Sequence, residues 1–180
     1  DNLGRTSKNK VNNSKIEITI NGRTRSIKIQ DYATGIKAKD VLSALHNIGR
    51  SLKKTNSNRG FRGIGRLGGL GYCEELRFVT KAKGESTYSV SKWDCNKLRK
   101  LIGNNNDSLD AMQLVKSIAL LSQHKYTKNR EDHFFFVEMY NVRSSRNALL
   151  DVPIIKSYLS QVAPVPFKND FSFAEKIEKK

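Results

Sequence analysis

The segment from Asp31 to Glu75 decides the fold and the candidate site. It opens with D-Y-A-T-G-I-K (Asp31–Lys37), passes through a basic stretch, and reaches G-F-R-G-I-G-R-L-G-G-L-G (Gly60–Gly71). A glycine-rich loop that opens a helix offers bare backbone N–H groups and the positive helix end, which suit phosphates. An acid ahead of a glycine suits a hydrogen bond to an exocyclic amine with close backbone approach. The segment therefore predicts a nucleotide site divided into a base pocket and a phosphate cradle.

The composition predicts a single basic domain. The 180 residues can bury a hydrophobic core, and 33 Lys and Arg against 17 Asp and Glu give a net charge of +16. Such an excess favours an anionic partner, although it also serves solubility alone. Cys73 and Cys95 lack metal-site or C-x-x-C spacing, so we expect reduced thiols in a cytoplasmic protein. No apolar run has the length of a membrane helix, so we expect no membrane association. Because the first residue is not Met, we expect a processed chain or a fragment.

Two alternating segments upstream of Asp31 predict a β-hairpin. Ile residues recur at every second position in Lys15–Ile20, and Arg25–Gln30 alternates in the same way. The Asn21-Gly22 pair between them is a strong hairpin signal. We therefore expect one face of this hairpin to be buried, with Asp31 at its exit.

The rest of the chain mixes helices and strands without regular β-α-β alternation, which favours an α+β fold. The patterns predict helices over residues 37–49, 93–102, 109–121 and 149–162, a glycine-rich helix entry over residues 64–76, and strands over residues 76–82, 87–91 and 134–142. Phe134–Val137 is apolar on both faces, which predicts a central strand. In the last helix we expect these side chains to face inward: Leu150, Ile154, Ile155, Tyr158, Leu159 and Val162.

Three other motifs are less informative. Gly63-Ile-Gly65-Arg-Leu-Gly68 matches G-x-G-x-x-G, but no buried strand precedes it, which argues against a Rossmann site. No G-K-[S/T] follows the glycines, which argues against a P-loop. The three histidines, His46, His124 and His133, have no spacing that suggests a metal site or a catalytic triad.

Several motifs, in order, resemble the ATP-binding domain of the GHKL superfamily: DNA gyrase, the 90-kDa heat-shock chaperones, histidine kinases and MutL. Asp31–Ile36 is similar to the D-x-G-x-G box, Asn47–Lys54 (N-I-G-R-S-L-K-K) looks like the lid segment, and Gly60–Gly71 resembles the second glycine box. The Thr80-Lys81 pair resembles the residues that come after that box in the chaperones. Asp1-Asn2 looks like the end of the E-x-x-x-N motif, whose glutamate would precede residue 1.

The resemblance implies a Bergerat-type, two-layer α/β sandwich whose mixed, mostly antiparallel sheet is covered on one face by helices. It further implies an ATP-binding domain over residues 1–148. Residues 149–180 would form a C-terminal helix and an extended connection toward a following domain.

The same resemblance implies roles for individual residues. Asp31 would accept a hydrogen bond from the adenine N6 amine, Gly35 would let the backbone approach the base, and Asn2 would bind Mg²⁺. Lid side chains would close over the phosphates, and glycine amides would cradle them. The implied ATP-binding residues are Asp31, Gly35, Ile36, Asn47, Ser51, Lys53, Lys54, Gly63, Gly65, Gly68, Gly69 and Gly71.

Two positions depart from the family pattern. Ala33 stands where the first glycine of the D-x-G-x-G box is usual, which requires a conventional φ there. Asp132-His133 stands where a Gly-Thr pair often precedes the late central strand. The threonine hydrogen bond beside the adenine-binding acid is therefore not expected from that place. No catalytic residue is assigned, because the general-base glutamate would lie upstream of residue 1.

The implied function is that of an ATP- and Mg²⁺-binding domain in a homodimeric ATPase, either chaperone-like or DNA-handling. Lid closure would couple ATP binding and hydrolysis to conformational change, and a client protein or nucleic acid would be the partner. One alternative is a non-enzymatic nucleic-acid-binding module in which Arg50–Arg66 binds phosphodiesters. Another is a degenerate GHKL fold that binds no nucleotide.

Overall fold

The computed structural model describes residues 16–47, 65–103 and 110–162. In this part of the chain, six strands form one sheet of order β1-β2-β6-β3-β4-β5, in which all neighbours pair antiparallel. The strands are β1 (Ile16–Asn21), β2 (Ser26–Asp31), β3 (Glu75–Lys81), β4 (Thr87–Asp94), β5 (Ala119–Lys125) and β6 (Phe134–Tyr140). The predicted α+β class is confirmed, and β6 is central, as its apolar sequence predicted.

Among the described residues, four α-helices and three short 3-10 helices accompany the sheet. The α-helices are α1 (Val41–His46), α2 (Cys95–Gly103), α3 (Ala111–Ile118) and α4 (Val152–Val162). The 3-10 helices are Ala38–Asp40, Gly65–Gly71 and Ser145–Leu150. A capping box between Asp110 and Gln113 fixes the start of α3, because it satisfies N–H groups that the first turn leaves unpaired.

The hydrophobic core lies on one face of the sheet, beneath α1, α2 and α3. Trp93 of β4 is fully buried and contacts Phe78 of β3 edge-to-face, with ring centroids 5.6 Å apart. Val41 from α1 and Ile118 from α3 belong to the same cluster. The other face carries mixed charges over aromatic rings, with Arg77 lying 4.4 Å from the Tyr140 ring centroid. The described helices α1, α2 and α3 therefore cover one face of the sheet, as in the expected two-layer sandwich.

The predicted hairpin is present, but its turn differs from the shortest form. Asn21 pairs with Ser26, so the loop has four residues, Gly22–Arg25. The positive φ of 48° falls on Arg25, and the Asn21 side chain accepts hydrogen bonds from the next N–H groups along the loop. The Asn-Gly signal located the turn correctly, while the side chain of Asn21 shaped it.

Two predicted helices were too long. The segment predicted over residues 37–49 begins as a 3-10 helix, and α1 ends at His46 because Asn47 is extended, with φ −82° and ψ 97°. The segment predicted over residues 109–121 ends at Ile118, and the next residues form β5. The prediction missed β5 because Leu121 fits the helical period, whereas pairing with β4 places it opposite Ser91.

Two further predictions were wrong. The glycine-rich helix entry expected over residues 64–76 is a 3-10 helix over Gly65–Gly71, and three further residues connect it to β3. All residues of α4 are described and none is buried: Ile154, Tyr158 and Val162, expected inward, are 50%, 60% and 56% exposed. The periodic apolar stripe of α4 is real, but the sheet does not cover it. Among the described helices, none combines the length and the apolar character that spanning a membrane requires.

Candidate functional site

Asp31 is the last residue of β2, at the exit of the hairpin. Its Oδ1 accepts a hydrogen bond of 3.1 Å from the N–H of Ala33, which starts the turn toward α1. By strand alternation Asp31 shares the helix-covered face with Ile27 and Ile29, and it pairs with Phe135 of β6. Ala33 has no positive φ, as its side chain requires. The local sequence therefore places a carboxylate at the end of the core face.

Gly35 allows the turn after Asp31 to pass against the ends of two strands. Its φ is +66°, and a Cβ there would lie 2.0 Å from the carbonyl oxygen of Lys81 and 3.0 Å from that of Phe134. No other residue type fits this space in this conformation without strain. The glycine is thus explained by its approach to the protein's own backbone; its approach to a base stays a prediction.

Thr80 ties this turn to the sheet. Its side chain is 1% exposed, and Oγ1 accepts from the N–H of Ile36 at 2.8 Å and donates to the carbonyl of Phe134 at 3.1 Å. The strand pairing puts Asp31, Phe135 and Thr80 in one row across three strands, so Thr80 lies about 10 Å from Asp31. A threonine therefore lies in the same row as the acid, on β3, and its hydroxyl binds the protein's own backbone.

Lys81 fixes the segment that precedes β6. The side chain is fully buried, and Nζ donates to three carbonyls, those of Arg130 at 2.8 Å, Asp132 at 2.6 Å and Ala82 at 3.4 Å. The hydroxyl of Tyr126 donates to the Asp132 carboxylate at 2.7 Å, which raises the pKa of Tyr126. Lys81 thus binds the backbone at Asp132, where the sequence differs from the Gly-Thr pair of the family.

Sequence reasoning did not assign site roles to Thr80 and Lys81. Their partners lie 44 to 54 residues away along the chain, apart from the adjacent Ala82. The only available signal was a Thr-Lys pair at the end of a strand whose other residues are mostly apolar. Alternation assigns Thr80 to the core face with Leu76 and Phe78, and a polar side chain there needs a buried partner.

The 3-10 helix Gly65–Gly71, called here the glycine segment, lies above the start of β3. A Cβ at Gly69 would lie 3.0 Å from Leu76, whereas a Cβ at Gly68 or Gly71 would meet no described atom within 4 Å. Arg99 of α2 holds the segment, because its guanidinium donates to the carbonyl of Leu70 at 3.2 Å. The segment offers glycine backbone at the surface, without the following α-helix that the sequence had suggested.

The two halves of the candidate site lie at opposite ends of one sheet face. Leu76, beneath the glycine segment, and Thr80, beside the Asp31 turn, are four residues apart on β3, or about 13 Å. On the same face, the edge formed by β1 and β2 is exposed, so the prediction that one face of the hairpin is buried was wrong for this edge: Ile16, Ile18 and Ile29 are 64%, 39% and 41% exposed. An elongated ligand could place a flat apolar ring on this floor near Asp31 and an anionic group near the glycine segment.

The structure describes only some of the residues predicted to bind ATP or Mg²⁺. Ile36 is buried, and Asn47 marks the extended end of α1. The backbone of Gly65 begins the glycine segment. Five predicted residues, and with them the Mg²⁺ contact and most of the lid, lie outside the described residues: Asn2, Ser51, Lys53, Lys54 and Gly63. Within residues 16–47, 65–103 and 110–162, no three His, Cys, Asp or Glu side chains are grouped so as to hold a metal ion.

An antiparallel sheet covered on one face, an acid–glycine turn at the hairpin exit and a glycine segment above the third strand define a GHKL-type ATP-binding domain. The family model described as histidine kinase-, DNA gyrase B- and HSP90-like ATPase matches residues 8–127. The chain belongs to this family. Strand β6 lies beyond the matched residues but in the middle of the sheet, so the folded unit extends at least to Tyr140.

Among solved structures, the chain is similar to the ATPase region of Saccharomyces cerevisiae topoisomerase II. The identity is 17% and the TM-score is 0.48; the match covers 77% of this chain and 35% of that one. The chain thus spans about a third of that structure's length. No curated protein matches the sequence.

Proposed function

We propose that this chain binds ATP with the adenine at Asp31 and the phosphates at the glycine segment. The single observation that carries the proposal is the fixed position of the turn after Asp31. The Ala33 N–H holds the carboxylate, Gly35 packs on Lys81, and Thr80 binds the N–H of Ile36. A preorganised acceptor at the edge of an apolar floor suits an exocyclic amine on a flat ring, because little order is lost on binding.

The phosphate end of the proposal rests on exposed glycine backbone. Gly68 and Gly71 carry no side chain that would separate a ligand from their N–H groups, and Arg99 holds the neighbouring Leu70 carbonyl in place. Bare amides bind anions without a bulky charge partner. We expect Gly68, Gly69 and Gly71 to contribute such amides, with Gly63 and Gly65 extending the cradle.

The lid and the metal complete the proposed site. Asn47 leaves α1 in an extended conformation, so the chain turns away from the helix axis where the lid sequence begins. Ser51, Lys53 and Lys54 would close over the phosphates; the lysine charges and the serine hydroxyl suit that role. Asn2 would supply an amide oxygen to Mg²⁺, which prefers oxygen ligands and shares the nucleotide phosphates.

Hydrolysis requires a general base, and the resemblance gives that role to the glutamate of an E-x-x-x-N motif of which Asp1-Asn2 would be the end. We therefore propose ATP binding for this segment and hydrolysis for the intact protein. In the intact protein, residues 1–148 would be the ATP-binding domain and residues 149–180 the connection to a further domain. That protein would be a cytoplasmic homodimer in which lid closure drives a conformational change, acting on a client protein or on nucleic acid.

A salt series separates ATP binding from the nucleic-acid alternative. Mg-ATP and a DNA duplex are each titrated into the protein at 50 mM and 200 mM salt, approximately the range over which phosphodiester contacts weaken most. The proposal predicts saturable ATP binding that survives the higher salt and is not displaced by the duplex. Tight DNA binding that falls by about a thousandfold or more over this range, with no ATP binding, would instead support the basic module.

A further inference from the structure

Two buried thiols lie side by side beneath the glycine segment. The Sγ atoms of Cys73 and Cys95 are 3.7 Å apart, and both residues are fully buried. Cys73 lies two residues beyond the end of the glycine segment, and Cys95 is the first residue of α2. The backbone also joins the two places, because the N–H of Cys95 donates to the carbonyl of Glu74.

The Cys73 thiol is part of what holds the glycine segment. Its Sγ lies 3.2 Å from the carbonyl oxygen of Gly69, and Arg99 donates to the Cys73 carbonyl at 2.9 Å and to that of Leu70 at 3.2 Å. A thiol has one proton, so Cys73 donates either to Gly69 or to the sulfur of Cys95. Any chemistry that removes this proton removes the contact with the glycine segment.

We propose that Cys73 and Cys95 are a redox-active dithiol. A peroxide converts the two thiols to a disulfide, and formation of this disulfide loosens the glycine segment. Bond formation draws the sulfurs from 3.7 Å to the covalent distance of about 2 Å. Cys73 Sγ moves toward α2, and the Gly69 carbonyl loses its thiol donor. The consequence for nucleotide affinity rests on the proposed function, whereas the disulfide and the loosening do not.

The two thiols differ in a way that suits stepwise oxidation. When Cys73 donates to the Cys95 sulfur instead of to Gly69, this hydrogen bond and the nearby Arg99 guanidinium lower the pKa of Cys95, while the same hydrogen bond and burial raise the pKa of Cys73. The Cys95 thiol loses its proton, and the thiolate attacks one peroxide oxygen and becomes a sulfenic acid. The hydroxide that leaves takes up the lost proton and gives the first water. The Cys73 sulfur then attacks the sulfenic sulfur, and its proton leaves with the hydroxyl group as water. Overall, two thiols are oxidised and one peroxide is reduced to two waters.

The glycine segment contacts the Cys73 thiol through the Gly69 carbonyl, so its opening would expose this side of the thiol pair. The glycine segment contains four glycines, and a Cβ added at two of them would meet no described atom within 4 Å. Few side-chain contacts therefore hold the segment in place. A ligand that holds this segment should oppose oxidation, and oxidation should weaken that ligand by the same factor. A tenfold change in affinity corresponds to a shift of about 30 mV in the reduction potential of the pair.

The test uses the full chain in its reduced form, treated with hydrogen peroxide without denaturant. Mass spectrometry reads the loss of two hydrogens and the linked peptides, and hydrogen exchange reads the amides from Gly69 to Tyr72. The expected result is a Cys73–Cys95 disulfide, with exchange of these amides faster by about tenfold in the oxidised protein. Cys73→Ser and Cys95→Ser serve as controls, and neither should lose two hydrogens.

Two results would overturn the proposal. One is a native protein that forms no such disulfide while the urea-unfolded chain does. The other is a disulfide that leaves exchange in the glycine segment unchanged. The Mg-ATP affinity of the reduced and oxidised forms is measured separately. Absence of binding by the reduced form would contradict the proposed function alone. The mass and hydrogen-exchange results would still decide the redox inference.

Discussion

Gly35 and the carbonyl oxygen of Lys81 are in such close contact that a Cβ at Gly35 would lie 2.0 Å from that oxygen. The neighbour is backbone in the last residue of a strand, so it cannot move aside as a flexible side chain would. The φ of +66° adds a cost of about 1 kcal/mol for any residue with a Cβ. The turn that carries Asp31 therefore depends on this glycine.

Gly35→Ala should lower the free energy of unfolding by about 3 kcal/mol or more, measured by urea denaturation. Gly22→Ala is the matched control: an added Cβ there meets no described atom within 4 Å, and its φ is not in the left-handed region. The control should change stability by about 0.5 kcal/mol or less. Equal effects of the two variants would show that Gly35 is not held against Lys81.

Thr80→Val should be destabilising although the two side chains have nearly the same shape. The substitution leaves the buried N–H of Ile36 without its acceptor and the Phe134 carbonyl without its donor, at a cost of about 2 kcal/mol. Thr80→Ser keeps the hydroxyl and should lose less than half as much. Denaturation of both variants checks this order, and a valine variant as stable as the serine variant would contradict it.

Lys81→Met should loosen the segment before β6, because the backbone carbonyls that Nζ binds lose their common donor. We expect a loss of about 2 kcal/mol and faster hydrogen exchange in residues 129–133. Lys83→Met removes an exposed lysine that pairs with Glu131 at 2.8 Å, and it should change little. If Lys83→Met loosened the segment as much as Lys81→Met, the result would contradict a specific role of the Lys81 hydrogen bonds.

Strand β5 is tested by a pair of adjacent leucines. Leu120 is 73% exposed, while Leu121 packs against the core opposite Ser91. Leu121→Asp should therefore cost about 3 kcal/mol or more, and Leu120→Asp about 0.5 kcal/mol or less. Equal losses for the two variants would contradict the placement of these neighbours on opposite faces of β5, with Leu121 against the core and Leu120 in solvent.

The sequence predicts the features that short-range patterns determine. The hairpin, with Asp31 at its exit, follows from alternation and a turn signal. The central place of β6 follows from a run that is apolar on both faces. These features need no information about distant partners, so they were predicted correctly.

Features that depend on distant contacts were missed. Leu121 fits a helical period, and only its pairing with β4 places it in a strand. The apolar stripe of α4 predicts burial, although no residue of this helix is buried. Thr80 and Lys81 acquire their roles only from carbonyl groups that folding brings to them from far along the chain. In each case tertiary structure decided among conformations that local propensity left open.

The most direct test of ATP binding is calorimetric titration of wild type, Asp31→Asn and Asp110→Asn with Mg-ATP. Asparagine has one acceptor oxygen instead of the two of aspartate, and the Ala33 N–H requires that oxygen. Asp31→Asn should therefore keep the turn but weaken ATP binding by about 10- to 100-fold. Asp110→Asn removes the same charge from the exposed start of α3, where asparagine also caps well. We expect wild type and Asp110→Asn to bind alike; equal affinities for all three proteins, or no binding by a folded wild type, would contradict the adenine site at Asp31.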